Sequence, residues 1–379
     1  MSRRSILFCI NYMHTGGVEK SLLALIGALP RDMFDVHVAL MQHKGELLGE
    51  LPADVTLHVL EDIERNWRHL AAPVAEPSGI GGLMRYFAAK LQGTLIPYFE
   101  YMLEGTRGLG RHFDIAVSYQ GPSELLDWYV ATHVDADVKV SWIHFDISRC
   151  YLNARTERLV YPAYDRIFTV SESARDIFCS IFPEYADRSE VFHNIVDARC
   201  VRESGGAYRV ERKEGAVTIC TVGRMTRQKA PDVALEVAAE LKNRGFSFLW
   251  YWVGADELLD KCREDALRRG LSEYISFVGL KSNPYPYMAA ADVYVQPSRY
   301  EGYCITLAEA RAFGMPIVCT DFSGSEQVEG LPNAQIVRSL EPALLADAIM
   351  LAADMPRVDM PESVVTNDMF KIIELCSEK

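Results

Sequence analysis

The hydrophobic positions of this chain fall into two kinds of run. Short blocks of β-branched and aromatic residues, too brief for a helix, alternate with longer blocks in which apolar residues recur every three or four positions. That alternation predicts parallel strands covered by helices, an α/β architecture. In the first half, a strand over Ile6–Ile10 leads through a glycine turn into a helix over Glu19–Leu29 and a strand over Val36–Leu40. Further strands are predicted at Ile115–Tyr119, Val138–His144, Ile167–Val170 and Ser189–Phe192, with a helix over Ser173–Ile181. The pattern pauses at His193-Asn194-Ile195-Val196-Asp197 and through a polar, glycine-bearing stretch to Glu214. A second strand-first series follows: Val217–Val222, helix Pro231–Asn243, Phe248–Val253, helix Glu257–Arg269, Ile275–Val278, Val293–Gln296, helix Tyr303–Phe313 and Ile317–Cys319. The two series predict one domain over 1–196, another over 197–358, and a closing segment over 359–379 whose stretch Asn367–Leu375 is amphipathic.

Between Glu61 and Arg111 the regularity breaks. This insert, with Leu83-Met84-Arg85-Tyr86-Phe87 and Leu95-Ile96-Pro97-Tyr98-Phe99, reads as a helical pair covering the first sheet or as a surface facing membrane or acceptor.

Composition narrows the class. With 379 residues, 49% hydrophobic and 24% charged, the chain has material for a real core without staples and is globular in type. A net charge of -13 removes any overall drive toward nucleic acid, so a bound anion must meet a local cluster of cations. The 9 cysteines include no Cys-x-x-Cys pair and sit mostly in apolar runs, which predicts reduced thiols in a cytoplasmic protein. Behind Met1-Ser2-Arg3-Arg4 the apolar run Ile6–Ile10 is too short for a signal peptide or a membrane span.

Candidate chemistry gathers where predicted strands run into helices. Gly16 and Gly17 lie in the first such turn; alone they make a tight turn, and before a helix they also suit an anion. The segment fits neither a dinucleotide fingerprint nor a P-loop. After Val217–Val222 come Gly223, Arg224 and Lys229, two cations that read either as solvated charge or as anion ligands over the carboxyl edge of a sheet. After Val293–Gln296 comes Pro297-Ser298-Arg299-Tyr300-Glu301-Gly302-Tyr303-Cys304-Ile305. Glu309 follows among Leu307, Ala308, Ala310 and Ala312, a placement that predicts burial and so a hydrogen-bonding reason for it. Carboxylates such as Glu301 and Glu309 accept from vicinal sugar hydroxyls, and N–H groups near Gly302 to Ile305 suit a phosphate.

Taken in order, Gly-Gly-x-Glu at Gly16–Glu19, Gly-Arg-x4-Lys at Gly223–Lys229, and Glu-x7-Glu at Glu301 and Glu309 resemble the family 4 glycosyltransferases of GT-B fold. The similarity runs over essentially the whole chain, and the neighbourhood of Val140-Ser141-Trp142-Ile143-His144 resembles bacterial enzymes of capsule, exopolysaccharide and lipopolysaccharide synthesis. The resemblance implies two Rossmann-like domains with an interdomain cleft, the first on the acceptor side, the second holding the donor, and the last segment crossing back to the first. It implies a retaining, metal-independent transfer of a hexose from a nucleotide-sugar donor, UDP-linked, to a glycan or lipid-linked acceptor, with no cofactor. Contact with the inner face of the cytoplasmic membrane and no nucleic-acid partner belong to the same expectation. Arg224 and Lys229 would hold the diphosphate, Glu309 the ribose, and Glu301 with the backbone of Gly302, Tyr303, Cys304 and Ile305 the donor sugar. His144 would face the transferring sugar, and Gly16 and Gly17 the phosphates and acceptor. Cys304 departs from the family, standing where many members have glycine, and Phe145 separates His144 from Asp146. The match Asp135-Ala136-Asp137 lies on the entering side of its predicted strand, away from a metal site. The rival readings are a GT-B sugar-nucleotide epimerase and a non-catalytic sugar-nucleotide-binding protein.

Overall fold

Runs such as Leu7-Phe8-Cys9-Ile10 and Ile219-Cys220-Thr221-Val222 carry no polar alternation, the mark of strands covered on both faces. In the computed structural model of the chain they are central strands of two parallel sheets. The structure describes residues 3–60, 84, 87, 91, 93–122, 125–149, 152–358 and 368–375. It divides into one unit of Met1–Asn194 with Thr366–Lys379 and another of Ile195–Val365, where the sequence pattern puts the limits at 196 and 358.

The first unit runs β1 (Arg4–Ile10), α1 (Gly17–Ala28), β2 (Phe34–Leu40), β3 (Thr56–Val59), α2 (Ile96–Met102), β4 (His112–Gly121), α3 (Leu125–His133), β5 (Asp135–Ile143), α4 (Ala154–Val160), β6 (Arg166–Thr169), α5 (Glu172–Ile181) and β7 (Ser189–Val191). Its 7 strands lie in the order β3-β2-β1-β4-β5-β6-β7, all parallel, with Ile6 level with Val36 and Ile115. Phe99 and Met102 of α2 join the core beneath this sheet. The rest of the expected helical pair over 61–111, with Arg85 and Lys90, lies largely outside the described residues.

The second unit runs α6 (Ala198–Gly205), β8 (Val217–Val222), α7 (Pro231–Asn243), β9 (Phe248–Val253), α8 (Leu259–Arg268), β10 (Ile275–Gly279), α9 (Tyr285–Ala290), β11 (Val293–Gln296), α10 (Ile305–Arg311), β12 (Ile317–Thr320), β13 (Ala334–Val337) and α11 (Pro342–Ala353). Its 6 strands lie in the order β10-β9-β8-β11-β12-β13, again all parallel. The last helix, α12 (Met369–Leu375), belongs to the first unit. There Asp368 accepts from the His193 backbone N–H at 3.0 Å and from Nζ of Lys371 at 2.7 Å, while Lys371 also donates to the Val191 carbonyl.

Both sheets follow the Rossmann order, so each has a crevice where the winding reverses, beside β1 and β4 and beside β8 and β11. The loops at those carboxyl ends carry most of the sequence-predicted site residues. Strands β3 and β13 escape the pattern because neither is fully buried and their alternation is weak. The helix expected from Tyr303 starts at Ile305, because Cys304 takes a left-handed φ of 61° that a helix cannot include. Cys9, Cys220, Cys262, Cys304 and Cys319 are buried free thiols, Cys179 is half-buried and Cys200 is exposed.

Candidate functional site

In the second unit the loop leaving β8 is held tightly against β9. Gly223 donates its N–H to the Val253 carbonyl at 3.0 Å, and the Trp252 indole donates to the Gly223 carbonyl at 3.0 Å. A Cβ on Gly254, at φ 149°, would sit 2.0 Å from that carbonyl oxygen, so only glycine lets the two strand ends meet. Arg299, in the loop leaving β11, ties the two crevice loops together. Its N–H donates to the Gln228 carbonyl at 2.8 Å, and its guanidinium donates to the Arg227 carbonyl at 2.8 Å and to both oxygens of Asp232 at 2.9 and 2.6 Å.

Between these loops lies an ion pair. Nζ of Lys229 is 2.6 Å from Oε1 of Glu301, and the two side chains are 13% and 5% exposed. The Ser298 hydroxyl donates to the same oxygen at 2.6 Å, and Nε2 of Gln228 donates to the other at 3.3 Å. Behind Ser298, Gln296 donates to the Ser298 hydroxyl at 2.8 Å and accepts from the Tyr294 hydroxyl at 2.7 Å. Burial is the largest single influence and works to lower the Lys229 pKa, but the charge and hydrogen bond of Glu301 together with the nearby Cys304 outweigh it, and the ammonium is held above its ordinary value. Arg224 weakly opposes that rise, so its charge is felt in the same neighbourhood. Arg224 itself is 68% exposed, with a guanidinium nitrogen 3.7 Å from Asp256.

Past Glu301 the backbone is locked from outside. The Gly302 carbonyl accepts from Ser323 at 3.0 Å and the Tyr303 carbonyl from Gln327 at 2.6 Å. Burial, with the nearby Glu301 charge, pushes the Cys304 thiol up to about 12, so it stays protonated. On α10, Glu309 is 2% exposed and accepts from the Tyr285 hydroxyl at 2.8 Å. That bond supplies the reason for burial that the sequence calls for.

The groups at the first unit's crevice are mostly neutral, with a buried carboxylate, Glu19, among them. Gly16 caps α1, and a Cβ there would lie 2.3 Å from the folded-back carboxylate of Glu19; Gly17 opens the helix. One turn on, the Ser21 hydroxyl donates to Oδ1 of Asn194 at 2.6 Å and is 2.8 Å from the Tyr119 hydroxyl, which supplies the proton of that second bond. His144, just past β5, lies against the rings of Tyr119 at 4.4 Å and Trp142 at 5.8 Å, the latter stacked at 9°. It is 8% exposed. Burial drives its pKa from 6.5 to about 3; Asn194 favours the proton weakly from nearby, and neither ring nitrogen has a partner in bonding geometry. His144 is therefore a neutral imidazole at any ordinary pH.

The structure thus brings Gly223, Lys229, Glu301, Gly302, Tyr303, Cys304 and Arg224 together at one crevice, with Glu309 on the helix that follows. Gly16, Gly17 and His144 stand in the first unit. Sequence reasoning missed Ser21, Tyr119 and Tyr285. Tyr285 stands in Tyr285-Pro286-Tyr287, whose spacing to Glu309 encodes nothing, and Ser21 and Tyr119 read as ordinary core positions.

Residues 216–354 match a family described as glycosyl transferases group 1. EpsF of Bacillus subtilis is 30% identical over 148 residues, 38% of this chain and 38% of that protein. An N-acetylgalactosamine-N,N'-diacetylbacillosaminyl-diphospho-undecaprenol 4-alpha-N-acetylgalactosaminyltransferase of Campylobacter jejuni is 28% identical over 174 residues, 45% of this chain and 46% of that enzyme. The match thus spans less than half the length of these relatives. Among solved structures, Anabaena HepE in complex with UDP and glucose superposes over 100% of both chains with a TM-score of 0.66 at 16% identity. The fold is GT-B, and the likeness to family 4 glycosyltransferases read from the motifs is supported over the second unit.

Proposed function

We propose that this chain, a GT-B fold whose residues 216–354 match glycosyl transferases group 1, is a hexosyltransferase of cell-surface polysaccharide synthesis. It moves a sugar from a nucleoside-diphosphate donor, UDP-linked, to a glycan or lipid-linked acceptor, with retention and without a metal. The observation that carries the reading is the buried Lys229–Glu301 pair at the crevice of β8 and β11, beside Arg224. A cation and a carboxylate held together at the position where Rossmann sheets take their ligands suit a diphosphate joined to a polyol. HepE, of the same fold, binds UDP and glucose, which supports the choice of donor class.

Breaking the anomeric bond concentrates negative charge on the departing diphosphate, and Lys229 and Arg224 stabilise that charge more in the transition state than in the ground state. Glu309, fixed by Tyr285, takes the ribose hydroxyls, and Glu301 those of the sugar. A neutral His144 suits a hydrogen bond to a sugar hydroxyl without a charge, and the leaving phosphate accepts the acceptor's proton. Donor kinetics for Arg224→Ala and Glu309→Ala, with and without chelator, test the assignment. Arg224→Ala should lower turnover, Glu309→Ala should raise the donor KM, and wild-type activity should survive chelator. Strict dependence on magnesium or manganese, with near-normal turnover in Arg224→Ala, would overturn it. Donor turnover without any acceptor would favour the epimerase, and donor binding with neither turnover nor transfer the silent binder.

Contact with the cytoplasmic membrane belongs to the same proposal. Met84, Phe87 and Leu91, at one-turn spacing in the insert, are 67%, 54% and 89% exposed, which suits a peripheral apolar face. No helix among the described residues is long and apolar enough to cross a membrane. Flotation with anionic liposomes at low salt checks this, and no co-migration would refute it.

A further inference from the structure

Lys229 does not wait for a phosphate as a free cation. Its ammonium is 2.6 Å from Oε1 of Glu301, in a pair 13% and 5% exposed, and the carboxylate is further held by Ser298 and Gln228. A diphosphate that draws the ammonium toward itself competes with Glu301 for its charge, and a buried carboxylate that loses its counter-charge is costly. An intact donor offsets that cost, because its sugar hydroxyls donate to the carboxylate as the ammonium leaves. A bare nucleoside diphosphate brings no such donors and adds its own negative charge nearby.

We propose that the Lys229–Glu301 pair is an exchange device that discriminates the sugar-bearing donor from the spent nucleotide. On entry of the donor, Glu301 trades the ammonium for sugar hydroxyls. After transfer the sugar is gone, Glu301 reclaims Lys229, and the nucleoside diphosphate is expelled. This role rests on the reading of the crevice as a donor site and goes beyond it: Glu301 weakens the binding of product.

The consequence has an unusual sign. Glu301→Gln keeps the shape but gives up the claim on Lys229, so the full-length variant should bind nucleoside diphosphate more tightly than wild type, by about tenfold. Its turnover should fall and its product inhibition should deepen. A merely structural role for Glu301 would not raise any affinity. The measurement is calorimetric titration of wild type and Glu301→Gln with UDP, and with GDP and ADP in parallel, followed by product-inhibition kinetics. In a Lys229→Gln background most of the gain should vanish, because it runs through the released ammonium. If Glu301→Gln is insoluble, Glu301→Asp, which shortens the carboxylate arm, should shift affinity the same way by a smaller factor.

Unchanged or weaker nucleotide binding in the folded variant, with wild type binding normally, would overturn the exchange and leave the donor site standing. A gain that persists undiminished without Lys229 would also overturn it, since Glu301 would then act by repulsion alone. Failure of wild type to bind any of the three nucleotides at millimolar concentration would overturn the donor site and the exchange with it.

Discussion

The two units share a strand order and equip their crevices in opposite ways. In the second, a buried ammonium and a buried carboxylate neutralise each other, with a guanidinium nearby and a second glutamate tied to a tyrosine. In the first, the crevice holds Ser21, Tyr119, Asn194 and an imidazole that burial keeps neutral. The contrast is one of desolvation. A buried charge needs a counter-charge or hydrogen bonds, so the second unit stores its cation on an anion, whereas the first sets neutral hydroxyl, amide and imidazole groups beside a single carboxylate, Glu19, folded back onto Gly16. On the proposed function, the paired charges of the second unit suit a diphosphate and the neutral groups of the first suit hydroxyls.

Breaking the charged half should have the largest effect. Lys229→Met removes the ammonium and leaves Glu301 buried without its counter-charge. Turnover should fall on the order of a hundredfold by loss of a charge-assisted contact to the leaving group, and the fold should lose about 3 kcal/mol. Steady-state kinetics and denaturant titration measure the two losses separately; retention of both activity and stability would show that the pair matters to neither.

The neutral half makes its own demand. In the folded protein His144 titrates near 3, while in the unfolded chain it titrates near 6.5. Between those values the unfolded chain binds a proton that the folded one refuses, so the stability contributed above pH 6.5 is lost as pH falls toward 3. Acidification from pH 6.5 to 4.5 should cost about 2 to 3 kcal/mol through this group, and His144→Gln should flatten that part of the profile. Melting temperatures across the range test it. A wild-type activity limb near pH 6.5 that vanishes in His144→Gln would mean that the imidazole is charged after all.

The same contrast decides what the sequence reveals. A carboxylate among apolar helix residues needs a partner, so Glu309 stands out in the text of the chain, while Lys229 and Glu301, in loops after their strands, read equally as solvated charge until the ordered motifs join them. The α/β alternation is equally visible, because central strands such as β1 and β8 are unbroken apolar runs. Ser21 and Tyr119 are invisible for the complementary reason: a serine on a helix and a tyrosine on a strand are normal core residues, and only their 2.8 Å approach across 98 positions gives them a role. Nor does any spacing announce that Lys229 and Glu301, seen separately as a phosphate ligand and a sugar ligand, hold each other.

A smaller effect sharpens the charged half further. Tyr285→Phe removes the hydroxyl that donates to Glu309 at 2.8 Å. A bond to a charged acceptor is worth about 1.5 to 3 kcal/mol, and it is present whether or not the bond to the sugar is breaking. The donor KM should therefore rise about tenfold with turnover nearly unchanged. A fall in turnover at constant KM would move Glu309 from ribose anchoring to the chemistry.

The smallest effect concerns backbone. Cys304 holds φ at 61°, a region that costs residues with a Cβ about 1 to 2 kcal/mol and glycine almost nothing. Many members of the resembled family have glycine there, and the conformation supplies the reason. Yet Cys304 also buries its thiol beside the ion pair, so Cys304→Gly trades relief of backbone strain against lost packing and a more flexible unfolded chain. The net change should stay within about 1 kcal/mol of wild type. Comparison with Cys304→Ala isolates the backbone term, because both variants lose the sulfur and only one keeps a Cβ. At a usual position alanine is the more stable of the two; here Cys304→Gly should exceed Cys304→Ala by about 1 kcal/mol in denaturant titration. The reverse order would mean that the turn before α10 is not held in the left-handed region, and that glycine is favoured at this place for room beside the donor.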